Sequence, residues 1–217
     1  MSNSATPPPD ATGYPRDRIT AGILAGGRAT RMGGVDKGLV ELGGRAMVEY
    51  VLDAVRGQVV RVLINANRSP DEYARYGVPV IADRHKGFLG PLAGIASLMA
   101  EADTEWLLIA PCDSPQIPLD LGPRLWRAAS REHADIGVAH SVERLQPVFA
   151  LLRCALIGQL EAYLKAGERK IDRWYRQQRM ATADFSDCPE MFVNVNTLSE
   201  RDSLATELRR KSTRSIR

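Results

Sequence analysis

The sequence has few of the residues that hold small proteins together through cross-links or metals. It contains 3 cysteines and 3 histidines in 217 residues, and none of them has the spacing of a zinc site. A sparse, odd number of cysteines is typical of a reducing compartment, which predicts a cytoplasmic protein. A chain of this length buries about 70% of its unfolded surface on folding, so it needs neither disulfides nor a structural metal.

Long apolar runs are absent as well. Residues 106–111 form one of the longest, whereas a helix that spans a bilayer needs roughly 20 apolar residues. Residues 1–18 are rich in proline, serine and threonine and have no apolar core. They predict a disordered leader and neither a signal peptide nor an anchor. We therefore expect a soluble protein with no membrane partner.

Net charge is low once the carboxyl-terminal end is set aside. Residues 209–217 hold five basic residues and no acidic one, and the rest of the chain carries 24 basic against 26 acidic residues. Such an end is typical of a solvated basic tail. Because no basic face with interspersed aromatic residues accompanies it, we expect no nucleic-acid partner.

Between these ends, short apolar segments alternate with segments of helical periodicity. The apolar segments predict strands over residues 19–24, 59–65, 78–82, 105–110, 136–139 and 148–152. The periodic segments predict helices over residues 47–55, 92–99, 119–130 and 156–164, and a capping box at 197–200 predicts a final helix. Strands that are apolar on both faces and alternate with helices predict a three-layer α/β fold. We expect one domain over residues 19–208, with a mostly parallel sheet covered by helices.

Glycine, amide and carboxylate residues follow the first four predicted strands. Ligands of such sheets collect at the carboxyl ends of the strands, so these residues are expected to meet at one edge. They are Ala25, Gly26 and Gly27 after the first strand, Asn65 and Asn67 at the second, Asp83 after the third and Asp113 after the fourth.

The loop after the first strand predicts polyphosphate binding. Residues 24–37 combine four glycines with Arg28, Arg31 and Lys37. Glycines let backbone N–H groups approach an anion, and the cations supply the charge that a di- or triphosphate requires. Lys37 lies between Asp36 and Gly38, so the loop is not a Walker A motif, and its glycine spacing is not that of a dinucleotide fingerprint.

Residues 24–27 and 31–37 resemble the signature loop of the molybdenum cofactor guanylyltransferases. The same resemblance continues in residues 65–67, 90–94, 111–115 and 192–197. It covers residues 19–207 and implies a nucleotide-diphospho-sugar transferase-like, Rossmann-like fold. It also implies transfer of GMP from GTP to molybdenum-bound molybdopterin, with Mg²⁺ as cofactor and pyrophosphate as the released product.

The residues that the resemblance and this chemistry place at the nucleotide are Leu24, Ala25, Gly26, Gly27, Lys37, Asn65, Asp83 and Asp113. Asp113 is the expected Mg²⁺ ligand, because Mg²⁺ is usually held by one carboxylate together with phosphate oxygens and waters. Arg31 and Lys37 are expected to clamp the triphosphate and stabilise the leaving pyrophosphate, so they are predicted to be catalytic together with Asp113. Asp83 could accept two hydrogen bonds from guanine.

A second group of residues is predicted to bind the pterin substrate, because amides suit a pterin ring edge, and cations or a helix start suit its phosphate. These residues are Gly90, Arg169, Lys170, Asn194 and Asn196.

Each of these assignments has a structural alternative. Asp113 and Asn65 could be turn formers, residues 90–94 an ordinary loop-to-helix transition, and Asn194 and Asn196 loop residues. Cys112 is expected to be a small buried thiol. The alternative functions are a related nucleotidyltransferase that uses CTP or a sugar phosphate, and a non-catalytic GTP-binding adaptor. Molybdoenzymes or other cofactor-biosynthesis proteins are possible partners of the enzyme.

Overall fold

The computed structural model describes residues 13–26, 36–85, 90–142, 144–193 and 204. Several predictions lie outside these residues, namely those on Gly27, Arg31, Asn194 and Asn196, the final helix from its capping box, and the basic tail. Residues 13–18 belong to the predicted leader, and of these Tyr14 packs on the domain while Gly13 and residues 16–18 are exposed. Tyr14 lies against the core, and its hydroxyl donates to the backbone oxygen of Gln58 at 2.8 Å.

The described residues form nine strands and six α-helices. The strands are β1 (Ile19–Leu24), β2 (Glu41–Leu42), β3 (Arg45–Ala46), β4 (Arg61–Asn65), β5 (Val80–Ile81), β6 (Trp106–Pro111), β7 (Ile136–Ser141), β8 (Arg144–Arg153) and β9 (Met180–Asp184). The helices are α1 (Met47–Arg56), α2 (Pro70–Ala74), α3 (Pro91–Glu101), α4 (Leu121–Arg131), α5 (Ile157–Lys165) and α6 (Ile171–Tyr175). Each of the six predicted strands and four predicted helices within the described residues is present. The ends of β1 are as predicted, and the other elements are shifted at one end or both.

A seven-stranded sheet in the order β5-β4-β1-β6-β8-β7-β9 forms the centre of the molecule. Six of its strands run in one direction, and only β8 is antiparallel to its neighbours β6 and β7. This confirms the predicted α/β fold with a mostly parallel sheet. Helical periodicity missed the five-residue helices α2 and α6, and strand patterning missed β2, β3 and the edge strand β9. Each of these five elements is short, and β9 buries only its second and fourth residues.

Helices cover both faces of the sheet, because neighbouring residues of a central strand enter opposite layers. Leu108 of β6 packs with α1 and α4, whereas Leu107 and Ile109 pack with α3, α5 and α6. Both layers are apolar, as expected for a strand buried on two sides. Among the described residues, no helix has both the length and the apolar character needed to cross a membrane.

Gln58 joins α1 to α4 within one of these layers. Its Nε2 donates to the backbone oxygens of Ala54 and Pro118 at 2.8 and 3.1 Å, and its Oε1 accepts from the backbone N–H of Gly122 at 2.7 Å. The side chain is almost fully buried. The backbone oxygen of Pro118 also accepts from the N–H of Leu121, whereas the N–H of Gly122 is paired by Gln58. Gln58 therefore satisfies an N–H group in the first turn of α4 that helix geometry leaves unpaired.

We expect Gln58→Ala to lower the free energy of unfolding by about 2 kcal/mol, because it leaves buried polar groups unpaired. Urea unfolding followed by circular dichroism measures the change. Gln159→Ala, at an exposed position of α5, is the matched control and is expected to change little. Equal stabilities of the two variants would contradict this role of Gln58.

Candidate functional site

The register of the sheet brings the ends of three central strands to the same level. Leu24, the last residue of β1, lies beside Asn65 of β4 on one side and beside Pro111 of β6 on the other. The residues that follow these strands therefore emerge together at one edge of the sheet. Asn65 also lies beside Ile81 of β5, so Asp83 reaches the same edge.

Two asparagine amides hold the Asp83 carboxylate. Asn65 Nδ2 donates to Asp83 Oδ1 at 2.9 Å and to the backbone oxygen of Ile81 at 3.0 Å. Asn67 Nδ2 donates to Asp83 Oδ2 at 2.7 Å, while Asn67 Oδ1 accepts from the Asp83 backbone N–H at 2.7 Å. Asn65 is buried, whereas Asn67 is exposed.

This arrangement changes the expected role of Asn65. The sequence analysis placed Asn65 at the nucleotide, but both hydrogens of its amide are used within the protein. Asn65 instead fixes the position of Asp83. The sequence placed Asn67 at this edge of the sheet, but the predicted nucleotide-binding residues did not include it.

Glycines 26 and 94 allow the backbone to approach these asparagines closely. A Cβ on Gly94, in the first turn of α3, would clash with Asn65 Oδ1 and lie 3.0 Å from Asn65 Cγ. A Cβ on Gly26 would lie 3.4 Å from Asn65 Oδ1 and 3.6 Å from Asn67 Nδ2. Gly90 precedes α3 with φ of 72°, a conformation that favours glycine. Gly26, the asparagines and the start of α3 are thus in close contact.

Lys37 and Asp113 form an ion pair at the same edge. Lys37 lies in a 3₁₀ turn, Lys37–Leu39, and Asp113 follows β6 by two residues. The Lys37 Nζ lies 3.2 Å from Asp113 Oδ2, with side-chain exposures of 28% and 12%. The two charges are therefore partly shielded from water, yet both side chains remain accessible to a ligand.

Beneath this pair lies a buried polar contact. The hydroxyl of Tyr73, a fully buried residue of α2, donates to Asp36 Oδ1 at 2.5 Å. Cys112 packs beside it, and burial raises the pKa of the Cys112 thiol well above its ordinary value. The thiol stays protonated, which agrees with its predicted role as a packing residue.

The predicted pterin-binding cations lie in the turn between α5 and α6. Arg169 Nη1 donates to the backbone oxygens of Leu164 and Glu168 at 2.7 and 2.5 Å. The backbone oxygen of Lys170 accepts a hydrogen bond from Tyr163 at 3.1 Å. No hydrogen bond in the described part of the chain joins either side chain to Asp83 or Asp113, so the structure does not connect them to the nucleotide edge.

Among the described residues, no cluster of three or more His, Cys, Asp or Glu side chains could hold a metal alone, so Asp113 could bind Mg²⁺ only together with ligands from outside the protein. A single accessible carboxylate suits Mg²⁺, which usually keeps water and substrate phosphates among its ligands. A resident ion held only by protein ligands would not fit these residues.

Comparison with known proteins agrees with this geometry. Residues 21–182 match the family described as the MobA-like NTP transferase domain. Relatives from Shewanella sp. strain W3-18-1 and Shewanella baltica strain OS155, both named molybdenum cofactor guanylyltransferase, are 50% identical over 191 residues. Each alignment covers 88% of this chain and 97% of the relative.

Solved structures share the fold at lower identity. Molybdopterin-guanine dinucleotide biosynthesis protein A from Archaeoglobus fulgidus has a TM-score of 0.72 at 22% identity, over 88% of this chain and 99% of that one. The 2-C-methyl-D-erythritol 4-phosphate cytidylyltransferase from Thermus thermophilus has a TM-score of 0.62 at 16% identity, over 87% and 98% of the two chains. These likenesses confirm the nucleotide-diphospho-sugar transferase fold.

We expect Gly94→Ala to displace Asn65 and so break its hydrogen bonds to Ile81 and Asp83. Helix propensity alone would favour alanine by about 1 kcal/mol, but the clash should lower the free energy of unfolding by about 1–3 kcal/mol. Urea unfolding shows whether Gly94→Ala raises or lowers the free energy of unfolding. Gly158→Ala, where no atom lies within 4 Å of the added Cβ, is the control and should be neutral or slightly stabilising. A stabilised Gly94→Ala protein would mean that the Asn65 side chain moves freely.

Proposed function

Since the chain belongs to the molybdenum cofactor guanylyltransferase family, we propose that it transfers GMP from GTP to molybdenum-bound molybdopterin and releases pyrophosphate. The observation that carries this proposal is the 50% identity to guanylyltransferases over 88% of the chain. The Lys37–Asp113 pair at 3.2 Å, at the carboxyl edge of the sheet, gives the reaction a site. This edge is where ligands of open α/β sheets bind.

The reaction needs no protein nucleophile. A phosphate oxygen of molybdopterin attacks the α-phosphorus of GTP while pyrophosphate leaves in line, and the attacking group is already an anion. The protein has to position two anionic substrates and to neutralise their charge. The Cys112 thiol beside Asp113 stays protonated, which is compatible with a reaction that uses no protein nucleophile.

Lys37 and Asp113 would neutralise the charge. Asp113 would hold Mg²⁺, which when bound screens the phosphate oxygens and so favours attack on the α-phosphorus. Lys37 would bind the phosphates that leave, since a charged donor in place before the reaction stabilises the charge that develops. In the protein alone each group balances the other, so neither charge is unpaired before the substrate arrives. We include Gly27 and Arg31 in the same phosphate site as proposals from the sequence.

Asp83 would select guanine. One hydrogen bond from Asn65 or Asn67 reaches each of its oxygens, and an ionised carboxylate has about four acceptor positions. Each oxygen can therefore accept a second donor, which matches the N1–H and N2–H groups of guanine. Cytosine presents no such pair of adjacent donors, so this geometry favours GTP over CTP.

We also propose which residues contact the pterin substrate and where in the cell the enzyme acts. Gly90, Arg169, Lys170, Asn194 and Asn196 are the candidate contacts of the pterin substrate. Because Arg169 already binds two backbone oxygens, Lys170 is the better candidate of the two cations. We further propose a cytoplasmic enzyme with one catalytic domain over residues 19–208, whose product passes to molybdoenzymes.

Pyrophosphate release tests the proposed function. The protein is incubated with Mg²⁺ and either GTP or CTP, with and without molybdenum-bound molybdopterin. Release that requires both GTP and the pterin supports the proposal. Preference for CTP would indicate the cytidylyl alternative, and binding of GTP without release would indicate the adaptor.

We expect Lys37→Ala to lower the rate of pyrophosphate release by about 10²–10³-fold, the usual effect of removing one preorganised stabilising donor. Lys165→Ala, at an exposed position of α5, is the matched control and should retain the full rate. A nearly normal rate in Lys37→Ala would show that Lys37 does not take part in the mechanism.

We expect Asn67→Ala to weaken discrimination between GTP and ITP, whose base lacks the N2 amino group. A hydrogen bond to a charged acceptor contributes about 1.5–3 kcal/mol, so an Asp83 carboxylate that is held by Asn65 alone should reduce the ratio of kcat/KM values by about tenfold. The rate at saturating GTP serves as the internal control, because Lys37 and Asp113 are unchanged. An unaltered GTP-to-ITP ratio would show that Asn67 does not position Asp83 for the base.

A further inference from the structure

Tyr73 makes a buried contact that the proposed mechanism does not use. Its side chain is fully buried, and its hydroxyl donates to Asp36 Oδ1 at 2.5 Å. Asp36 immediately precedes Lys37 in the chain. The contact spans 37 residues of sequence, so it ties the start of the Lys37 turn to α2.

The same hydroxyl also faces the strand end that carries Asp113. A Cβ on Gly38 would lie 2.5 Å from Tyr73 Oη, 3.0 Å from Cys112 Cβ and 3.1 Å from Cys112 Sγ. Gly38 follows Lys37, and Cys112 precedes Asp113. The turn, the hydroxyl and the strand end are therefore in contact at the point below the ion pair, where an additional methyl group would not fit.

Burial strengthens the hydrogen bond between Tyr73 and Asp36 and keeps the Tyr73 hydroxyl from ionising. Burial raises the pKa of both the Asp36 carboxyl and the Tyr73 hydroxyl above their ordinary values. The hydroxyl therefore stays protonated and donates its hydrogen to Asp36. Hydrogen bonds from a hydroxyl to a carboxylate are short and about twice as strong as neutral ones.

We propose that Tyr73 is a positioning residue for nucleotidyl transfer, which through Asp36 holds the Lys37 turn against Cys112 and so sets the place of the Lys37 ammonium beside Asp113. The proposal rests on the proposed function for the role of Lys37 in turnover. Tyr73 touches no substrate, so its effect on the reaction passes through Lys37. The hydroxyl carries this effect and the ring supplies packing, which makes phenylalanine the informative replacement.

A double-mutant cycle separates this role from a merely structural one. Tyr73→Phe alone should lower the rate of pyrophosphate release about tenfold, while in a Lys37→Ala background it should lower the rate less than about twofold, since coupled residues are not additive. A general structural defect would instead multiply with the Lys37→Ala defect, and that result would overturn the proposal.

Three further variants test the contact. Tyr76→Phe is the matched control, because it removes a hydroxyl from a half-buried tyrosine three residues away and should keep the full rate. Asp36→Asn keeps an oxygen that accepts from Tyr73, so it should retain more activity than Asp36→Ala. Equal losses in the two Asp36 variants would mean that Tyr73 does not act through this acceptor.

The reactivity of the Lys37 amine tests the position of Lys37 without a measurement of catalysis. In nucleotide-free protein, an amine-acylating reagent and mass spectrometry give the acylation rate at Lys37. We expect this rate to rise several-fold in Tyr73→Phe and to stay unchanged in Tyr76→Phe, because a displaced turn loosens the Lys37–Asp113 pair. An unchanged rate in Tyr73→Phe would overturn the proposal. Absence of pyrophosphate release by the wild-type protein would overturn the proposed function alone, since acylation does not depend on it.

Discussion

The candidate site depends on three parallel strands that end at the same level. With Leu24 beside both Asn65 and Pro111, the segments that follow these strands leave the sheet side by side. A shift of one residue in either pairing would turn alternate side chains to the opposite face. The apolar layers on both faces resist such a shift, so the packing of the core also holds the functional groups in place.

The charges at this edge are paired before any substrate binds. Lys37 balances Asp113 directly, and the amides of Asn65 and Asn67 hold the Asp83 carboxylate. An enzyme that handles triphosphates profits from groups that are already oriented, because they need not reorganise as the reaction proceeds. The same interactions reduce the cost of keeping charged side chains in a partly buried site. Binding and stability are therefore supported by the same contacts.

Sequence patterns anticipated the layers and the edge of the sheet, because both depend on local signals. Buried strands are apolar on both faces, and glycine, asparagine and aspartate follow them. The short edge strand β9 was missed because half of its residues face solvent, and α2 is too short for helical periodicity to be detected. The contacts of Asn67 and Tyr73 were missed for another reason. Their importance lies in the partners Asp83 and Asp36, which are 16 and 37 residues away in sequence.

The sequence by itself determined the class of fold and the set of polar residues at the strand ends. These follow from periodicity and residue chemistry, which are properties of neighbouring positions. Only the tertiary structure decided that Asn65 donates to Ile81 and Asp83, that β8 runs antiparallel, and that a buried tyrosine supports the Lys37 turn. These features depend on which distant segments come into contact. Hydrogen bonds between distant segments produce no periodic pattern in the sequence, so the sequence alone does not reveal them.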